Sequence, residues 1–382
     1  MRGVVFICLM AIMSSCVGGG ATKSRSASSA GSISQGEVVD LNYTKYAKGY
    51  SVKQYGDMKL VEITDPIADN STVYKYALVA RGDKSAKIPE GYSKIEVPLK
   101  NIICMTTLQL SPFIKLKATD RIVGITSTKF LQNRELNERL KSRKIARIGI
   151  EGEFDTEVVL SLDADMIMIS PYKRGGYDSI KSLDIPMLAY LGYKESTPLG
   201  QAEWVKLVGL LLGLDEQAEA EFAAIETRYH QLVDLVKDVD HRPEVLSGEL
   251  HSGNWYVVGG KSYLAQLFRD AGADYFMEND NESGGFYVDY ETVYSKGYDA
   301  DFWRIVNSFN GDYSYEDIIA SDSRYLDFKP LRDKKVIYCN LRRSPFYENT
   351  PMEPEVLLAD LIKIFHPGRL DDHRAVYYEL LE

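Results

Sequence analysis

Between Gln201 and Val239 the chain carries its longest regular pattern of apolar and polar positions. After a break at Gly213–Leu214, large or apolar side chains fall at Ala218, Phe222, Ile225, Tyr229, Leu232 and Val236. Steps of four and three residues line one face of an α-helix. Asp215 stands at the expected N-cap, and Glu216 and Glu219 favour the positive end of the helix dipole. No Pro or Gly interrupts Glu216 to Lys237. The pattern predicts a helix of about 33 Å at 1.5 Å per residue, longer than one compact domain needs and suited to a strut between two lobes.

The flanks have a different period. From Lys100 onward, short apolar runs alternate with amphipathic stretches: NIICMTT (101–107), RIVGIT (121–126), KIARIGI (144–150), MIMIS (166–170) and PMLAYL (186–191). After the strut come EVLSGEL (244–250), WYVVG (255–259), ADYFM (273–277), FWRIV (302–306) and KVIYCN (335–340). Strand–helix alternation predicts mostly parallel sheets covered on both faces. Ahead of them, Tyr50–Tyr55, Met58–Thr64 and Val73–Val79 read as antiparallel strands, with Gly56-Asp57 as a hairpin turn. The fold class is α/β: two Rossmann-like lobes joined by a single long helix.

An internal echo links the lobes. Asp155-Thr156-Glu157-Val158-Val159 precedes Asp163-Ala164-Asp165 and MIMI; Asp289-Tyr290-Glu291-Thr292-Val293 precedes Asp299-Ala300-Asp301 and FWRIV. In each copy an Asp caps a short helix, a Glu projects from its first turn, and the chain drops into a strand.

Composition narrows the picture. The 382 residues are 45% hydrophobic and 26% charged, ordinary for soluble globular protein, and favour two domains. A net charge of -10 argues against a nucleic-acid partner, which needs a basic face. The start differs: Met1-Arg2 is a positive n-region, and Gly3–Met13 an apolar run too short to span a bilayer. Met13-Ser14-Ser15-Cys16 resembles the lipobox of bacterial lipoproteins, which implies lipidation of Cys16 as the mature N-terminus and a periplasmic, membrane-anchored body. Val17–Gln35, rich in Gly, Ser, Ala and Thr, has the composition of a flexible tether. The folded part keeps Cys104 and Cys339, in apolar runs on opposite sides of the strut, which reads as two buried free thiols.

The order of these blocks, together with WYVVGGKSYLAQLFRDAGADYF and PEVLLADLIKIFHP, resembles the substrate-binding proteins of ABC importers for iron complexes, haem and cobalamin. The resemblance covers about Lys94 to the C-terminus. It implies a binding lipoprotein and no enzyme, a ligand held in the cleft between the lobes, and a monomer that docks to a membrane permease. The organisation that follows is a signal at 1–16, a tether at 17–40, a β-rich extension at 41–98, a first lobe at 99–198, the interlobe helix at 199–240 and a second lobe at 241–382. In that family a Glu on each lobe docks to permease arginines, and Glu157 and Glu291 fall on those positions; a carboxylate takes a guanidinium in bidentate fashion.

Ligand sites in such folds lie at the carboxyl ends of strands. This selects Thr106 and Thr107, then Tyr172, Lys173 and Arg174, in the first lobe. In the second it selects His251, Trp255 and Tyr256, and Arg342, Arg343, Phe346 and Tyr347. The basic residues suit an anionic chelate and the aromatic ones a macrocycle or aryl group. No cofactor or catalytic residue is assigned. The five histidines have no metal-ligand spacing, and His251, on a cleft loop, is the one to watch as a haem ligand. Gly260-Lys261-Ser262 fails as a phosphate loop because position 255 is Trp where Gly is required. The expected ligand is a ferric siderophore or haem, with cobalamin as the alternative. A secreted enzyme on a similar scaffold is the rival class, against which stands the lack of a Gly-x-Ser-x-Gly elbow or metal-ligand set.

Overall fold

The computed structural model describes residues 37–68, 71–126, 128–129, 131–150, 152–172 and 176–382. Cys16, Lys173 and Arg174 lie outside these residues.

Five strands form the N-terminal extension: β1 (Val38–Asp40), β2 (Tyr50–Tyr55), β3 (Met58–Ile63), β4 (Tyr74–Ala80) and β5 (Ser93–Val97). They pair in sequence order, antiparallel except β4 with β5. Tyr55 faces Met58 across the expected tight turn, where Gly56 takes φ +55, a conformation that costs glycine little. The sheet is fastened to the first lobe by hydrogen bonds. Tyr76 Oη donates to Met187 O at 3.1 Å and accepts from Ala189 N at 2.9 Å. Buried Glu203 accepts from three consecutive amides, Lys45, Tyr46 and Ala47, at 2.7–2.8 Å. Glu195 accepts from Lys48 N, Gly49 N and Trp204 Nε1.

In the first lobe β6 (Ile102–Cys104), β7 (Ile122–Ile125), β8 (Ala146–Arg147), β11 (Met166–Ile169) and β12 (Met187–Ala189) make an all-parallel sheet of order β12-β11-β6-β7-β8. Every residue of β6 and β11 is buried, as expected when helices cover both faces. KIARIGI does not continue as one strand. Gly149 turns at φ +97, and the chain makes a small hairpin of β9 (Gly149–Ile150) with β10 (Glu153–Phe154).

The second lobe holds β13 (Glu244–Ser247), β14 (Leu250–His251), β15 (Asn254–Val258), β16 (Asp274–Tyr275), β17 (Gly285–Val288), β18 (Phe302–Asn307), β19 (Val336–Asn340) and β20 (Glu379–Leu380). Its main sheet runs β16-β13-β18-β19-β20, parallel except for β20. EVLSGEL breaks at Gly248, φ +98, where an added Cβ would meet Tyr256 O at 2.1 Å. The chain therefore leaves the main sheet, and β14, β15 and β17 form a separate antiparallel sheet beside it.

The long helix is Asp215–Leu235, 21 residues and about 32 Å. Ala218, Phe222, Ile225, Tyr229 and Leu232 are its buried residues. The N-cap is Leu214 rather than Asp215, whose carboxylate instead takes Lys59 Nζ at 3.0 Å. The helix packs on Trp204–Leu212 from one side and on Pro354–Phe365 from the other. Close approach is possible because Gly209 faces Ala218, where a Cβ would come to 2.3 Å. One hydrophobic cluster runs through both lobes, and Cys104 and Cys339 are buried free thiols.

Candidate functional site

The carboxyl ends of the two parallel sheets are bridged by the short helix Phe346–Asn349, which belongs to the second lobe and packs on the turn Thr107–Leu110 of the first. Ser111 Oγ donates to Asn349 O at 3.1 Å, Gln132 N to Glu348 Oε1 at 2.8 Å, and Gln132 Nε2 to Arg342 O at 2.9 Å. Thr106 is buried here, its amide held by Gln109 Oε1 at 3.1 Å, and Thr107 is half-buried. Both expected threonines thus sit where the lobes meet. Tyr172, after β11, is exposed, and Lys194 Nζ lies 4.1 Å from its ring centroid. Lys194 also pairs with the buried carboxylate of Asp65 from the extension.

In the second lobe a cavity of about 310 Å³ opens between the β14–β15 hairpin, β18 and the bridging helix. His251, Tyr256, Phe346 and Tyr347 line it as expected, joined by Glu249 and Arg304, which sequence reasoning missed. Arg304 stands in β18, between β13 and β19. A cation inside an otherwise apolar central strand was the signal available in FWRIV, because such positions are seldom charged without a purpose. Its Nε donates to Tyr378 Oη at 2.9 Å and its Nη1 to Ser247 Oγ at 3.2 Å, with the guanidinium 5.2 Å from the Tyr378 ring centroid. Burial pushes Glu249 up to about 7, against hydrogen bonds that include one from Tyr313 Oη at 3.4 Å.

Three expected ligand residues do not line this cavity. Trp255 is fully buried against Trp303, Tyr325 and Phe328, with ring centroids 5.4–5.6 Å away, and its indole N–H donates to Ser247 O. Successive residues of a strand face opposite ways, so with Tyr256 on the cavity Trp255 must enter the core. Arg342 is a loop fastener, its Nε donating to Ser308 O at 2.6 Å. Arg343 pairs with Asp312 at 2.7 Å beside a different recess, lined by Tyr313, Tyr338 and Tyr377. The two adjacent arginines thus have separate partners, Ser308 and Asp312. Ser262 of the rejected phosphate-loop motif caps the helix Tyr263–Asp270, accepting from Ala265 N at 3.2 Å. Among the described residues, no group of three or more His, Cys, Asp or Glu side chains is placed to hold a metal ion.

The internal echo is a matched structural unit. Asp155 Oδ1 accepts from Val158 N at 3.0 Å and Asp289 Oδ1 from Thr292 N at 2.7 Å. Each opens a helix, Thr156–Ser161 or Tyr290–Gly297, with Val159 or Val293 buried beneath it. Glu157 and Glu291 are the second residues of these helices and both are exposed. Asp165 then accepts from Lys100 and Asn101 amides, and Asp301 from Glu244 N, fixing the starts of β6 and β13.

A family model described as "Periplasmic binding protein" matches residues 102–341, more than half of the chain. An uncharacterized lipoprotein of Methanocaldococcus jannaschii is 23% identical over 98% of this chain and 94% of its own. Among solved structures, a periplasmic binding protein from Veillonella parvula aligns with TM-score 0.60 at 14% identity, over 81% of this chain and 99% of that one. A periplasmic heme binding protein from Pseudomonas aeruginosa aligns with TM-score 0.56 at 17% identity, over 71% and 94%. Two parallel-sheet lobes, one long helix between them and the matched family model lead to one conclusion: the chain belongs to the periplasmic binding protein family.

Proposed function

We propose that this chain captures an iron complex, a ferric siderophore or haem, between its lobes and delivers it to the permease of an ABC importer. The observation that carries the reading is the second-lobe cavity, where a guanidinium, an exposed imidazole and three aromatic side chains converge at the carboxyl edge of the sheet. Aromatic rings suit a macrocycle or aryl chelate, and the guanidinium suits its acidic groups. The name of the Pseudomonas neighbour, a heme binding protein, supports the same class. His251 is the residue we assign as haem-iron ligand if haem is the cargo. Glu157 and Glu291, exposed and equivalent on the two lobes, are assigned to permease arginines, and Cys16 to a lipid that keeps the body at the membrane.

Native mass spectrometry of the chain lacking residues 1–16, mixed with ferric siderophores, haem and cobalamins, tests the reading. Retention of one iron complex is expected. Retention of cobalamin alone would replace the ligand class, and folded protein that retains none would overturn the proposal. If haem is retained, His251→Ala should alter its absorption spectrum, and an unaltered spectrum would remove His251 from the iron.

A further inference from the structure

We infer that the cavity is built around one group of the ligand, a carboxylate or comparable oxyanion held by Arg304. This deepens the proposed function and rests on its reading that the cavity is where ligand binds.

A guanidinium has five N–H donors and no acceptor. The polar partners of Arg304 among the described residues are two hydroxyls, Tyr378 Oη and Ser247 Oγ, rather than a carboxylate. Both hydroxyls are on buried residues, so the fork is held in place by the fold. A cation taken partly out of water without a counter-ion is costly, and the cost disappears when an anion arrives. Among the other arginines of this lobe, Arg242, Arg324 and Arg343 each hold an Asp at 2.7 Å, and Arg269, Arg332 and Arg342 donate to backbone carbonyls at 2.6–3.1 Å, whereas Arg304 lines the cavity. Arg304 is thus positioned like a recognition group rather than like a structural ion pair.

The carboxyl of Glu249 lines the same cavity but is not an ion-pair partner of Arg304. Its hydrogen-bond partners are Asn307 and Tyr313, the latter with its hydroxyl at 3.4 Å. The remaining walls are largely apolar, aromatic at Tyr256, Phe346 and Tyr347 and aliphatic at Val257, Leu264 and Val306. At about 310 Å³ the cavity is at the lower end of ligand pockets, room for an acidic arm and part of the body that carries it. The class of ligand that follows is an acid on an apolar or aromatic frame. Haem with its propionates and carboxylate-bearing siderophores belong to it; neutral hydroxamate complexes do not.

The test is calorimetric titration of the wild-type chain, Arg304→Gln and Arg304→Lys with citrate, ferric citrate, haem and ferrichrome, a neutral ferric hydroxamate. The wild type should bind at least one carboxylate-bearing probe in preference to ferrichrome. Loss of a charge-assisted hydrogen-bonded contact should raise that Kd about 10- to 100-fold in Arg304→Gln, with Arg304→Lys between the two. A Kd unchanged in Arg304→Gln, a wild type that prefers ferrichrome, or one that binds none of the probes would overturn the inference. If Arg304→Gln does not fold, the Nε–H resonance of Arg304 in the wild type gives the answer: it should shift on titration with the preferred probe, and a stationary signal at saturation counts against the assignment. The two readings fail separately. Citrate bound through Arg304 with no iron complex bound would sink the iron-complex proposal and leave this one standing. An iron complex bound equally by Arg304→Gln would do the reverse.

Discussion

Glu348 offers a direct test of the physics that joins the lobes. Its side chain is 1% exposed on the bridging helix; Oε1 accepts from Gln132 N of the other lobe, while Oε2 has no partner among the described residues. Burial raises its carboxyl from the ordinary 4.5 to about 7, opposed by the amides of Gln132 and Asn133. The folded state therefore binds more protons than the unfolded state between those values. The resulting stability is fully present below pH 4.5 and is lost as pH rises through about 7. At about 1.4 kcal/mol per pH unit the gap amounts to ~3 kcal/mol, and relaxation of the surroundings about the charged form reduces it to about 2 kcal/mol. Glu348→Gln resembles the protonated acid and has no proton to lose. It should change stability little near pH 5 and raise it by about 2 kcal/mol at pH 8, roughly 3 °C in Tm for a chain of this length. Glu249 and Glu355, also raised to about 7 by burial, remain in both proteins and largely cancel in the comparison. Scanning calorimetry of the ligand-free pair at pH 5, 6, 7 and 8 reads the effect. A Tm difference that does not change with pH would refute the reasoning.

Glu203→Ala strands the amides of Lys45, Tyr46 and Ala47 and should cost ~3–5 kcal/mol; early proteolysis within residues 43–49 would show the released segment, and an unaltered cleavage pattern would contradict it. Trp255→Ala, which empties a core position, should cost ~3–5 kcal/mol in denaturant unfolding while ligand affinity of the folded fraction is unchanged; a selective loss of affinity would return Trp255 to the ligand site. Replacing Glu157 and Glu291 with Lys should abolish ligand delivery in a reconstituted permease and leave ligand affinity intact, because both residues are exposed on the helix starts; preserved delivery would remove them from the docking surface.

Much of the architecture was legible in the chain because it rests on local rules. A face repeating every three to four residues placed Ala218, Phe222, Ile225, Tyr229 and Leu232 on one buried stripe, and short apolar runs located β6, β11 and β19. Asp155 and Asp289 announced the two helix starts through a side chain and an amide three residues apart. The site depended on relations that sequence distance hides. Which of Trp255 and Tyr256 meets the cavity is a matter of strand parity, and parity was decided by the turn at Gly248 and by pairing with β17. Arg342 and Arg343, adjacent in the chain, were sent to Ser308 and Asp312, while Arg304 was brought to Glu249 and Tyr347 from separate segments. Helix faces and caps are fixed by neighbours within one turn, so residue order determined them. A cavity forms where remote segments leave space between them, and only the packed fold decided that.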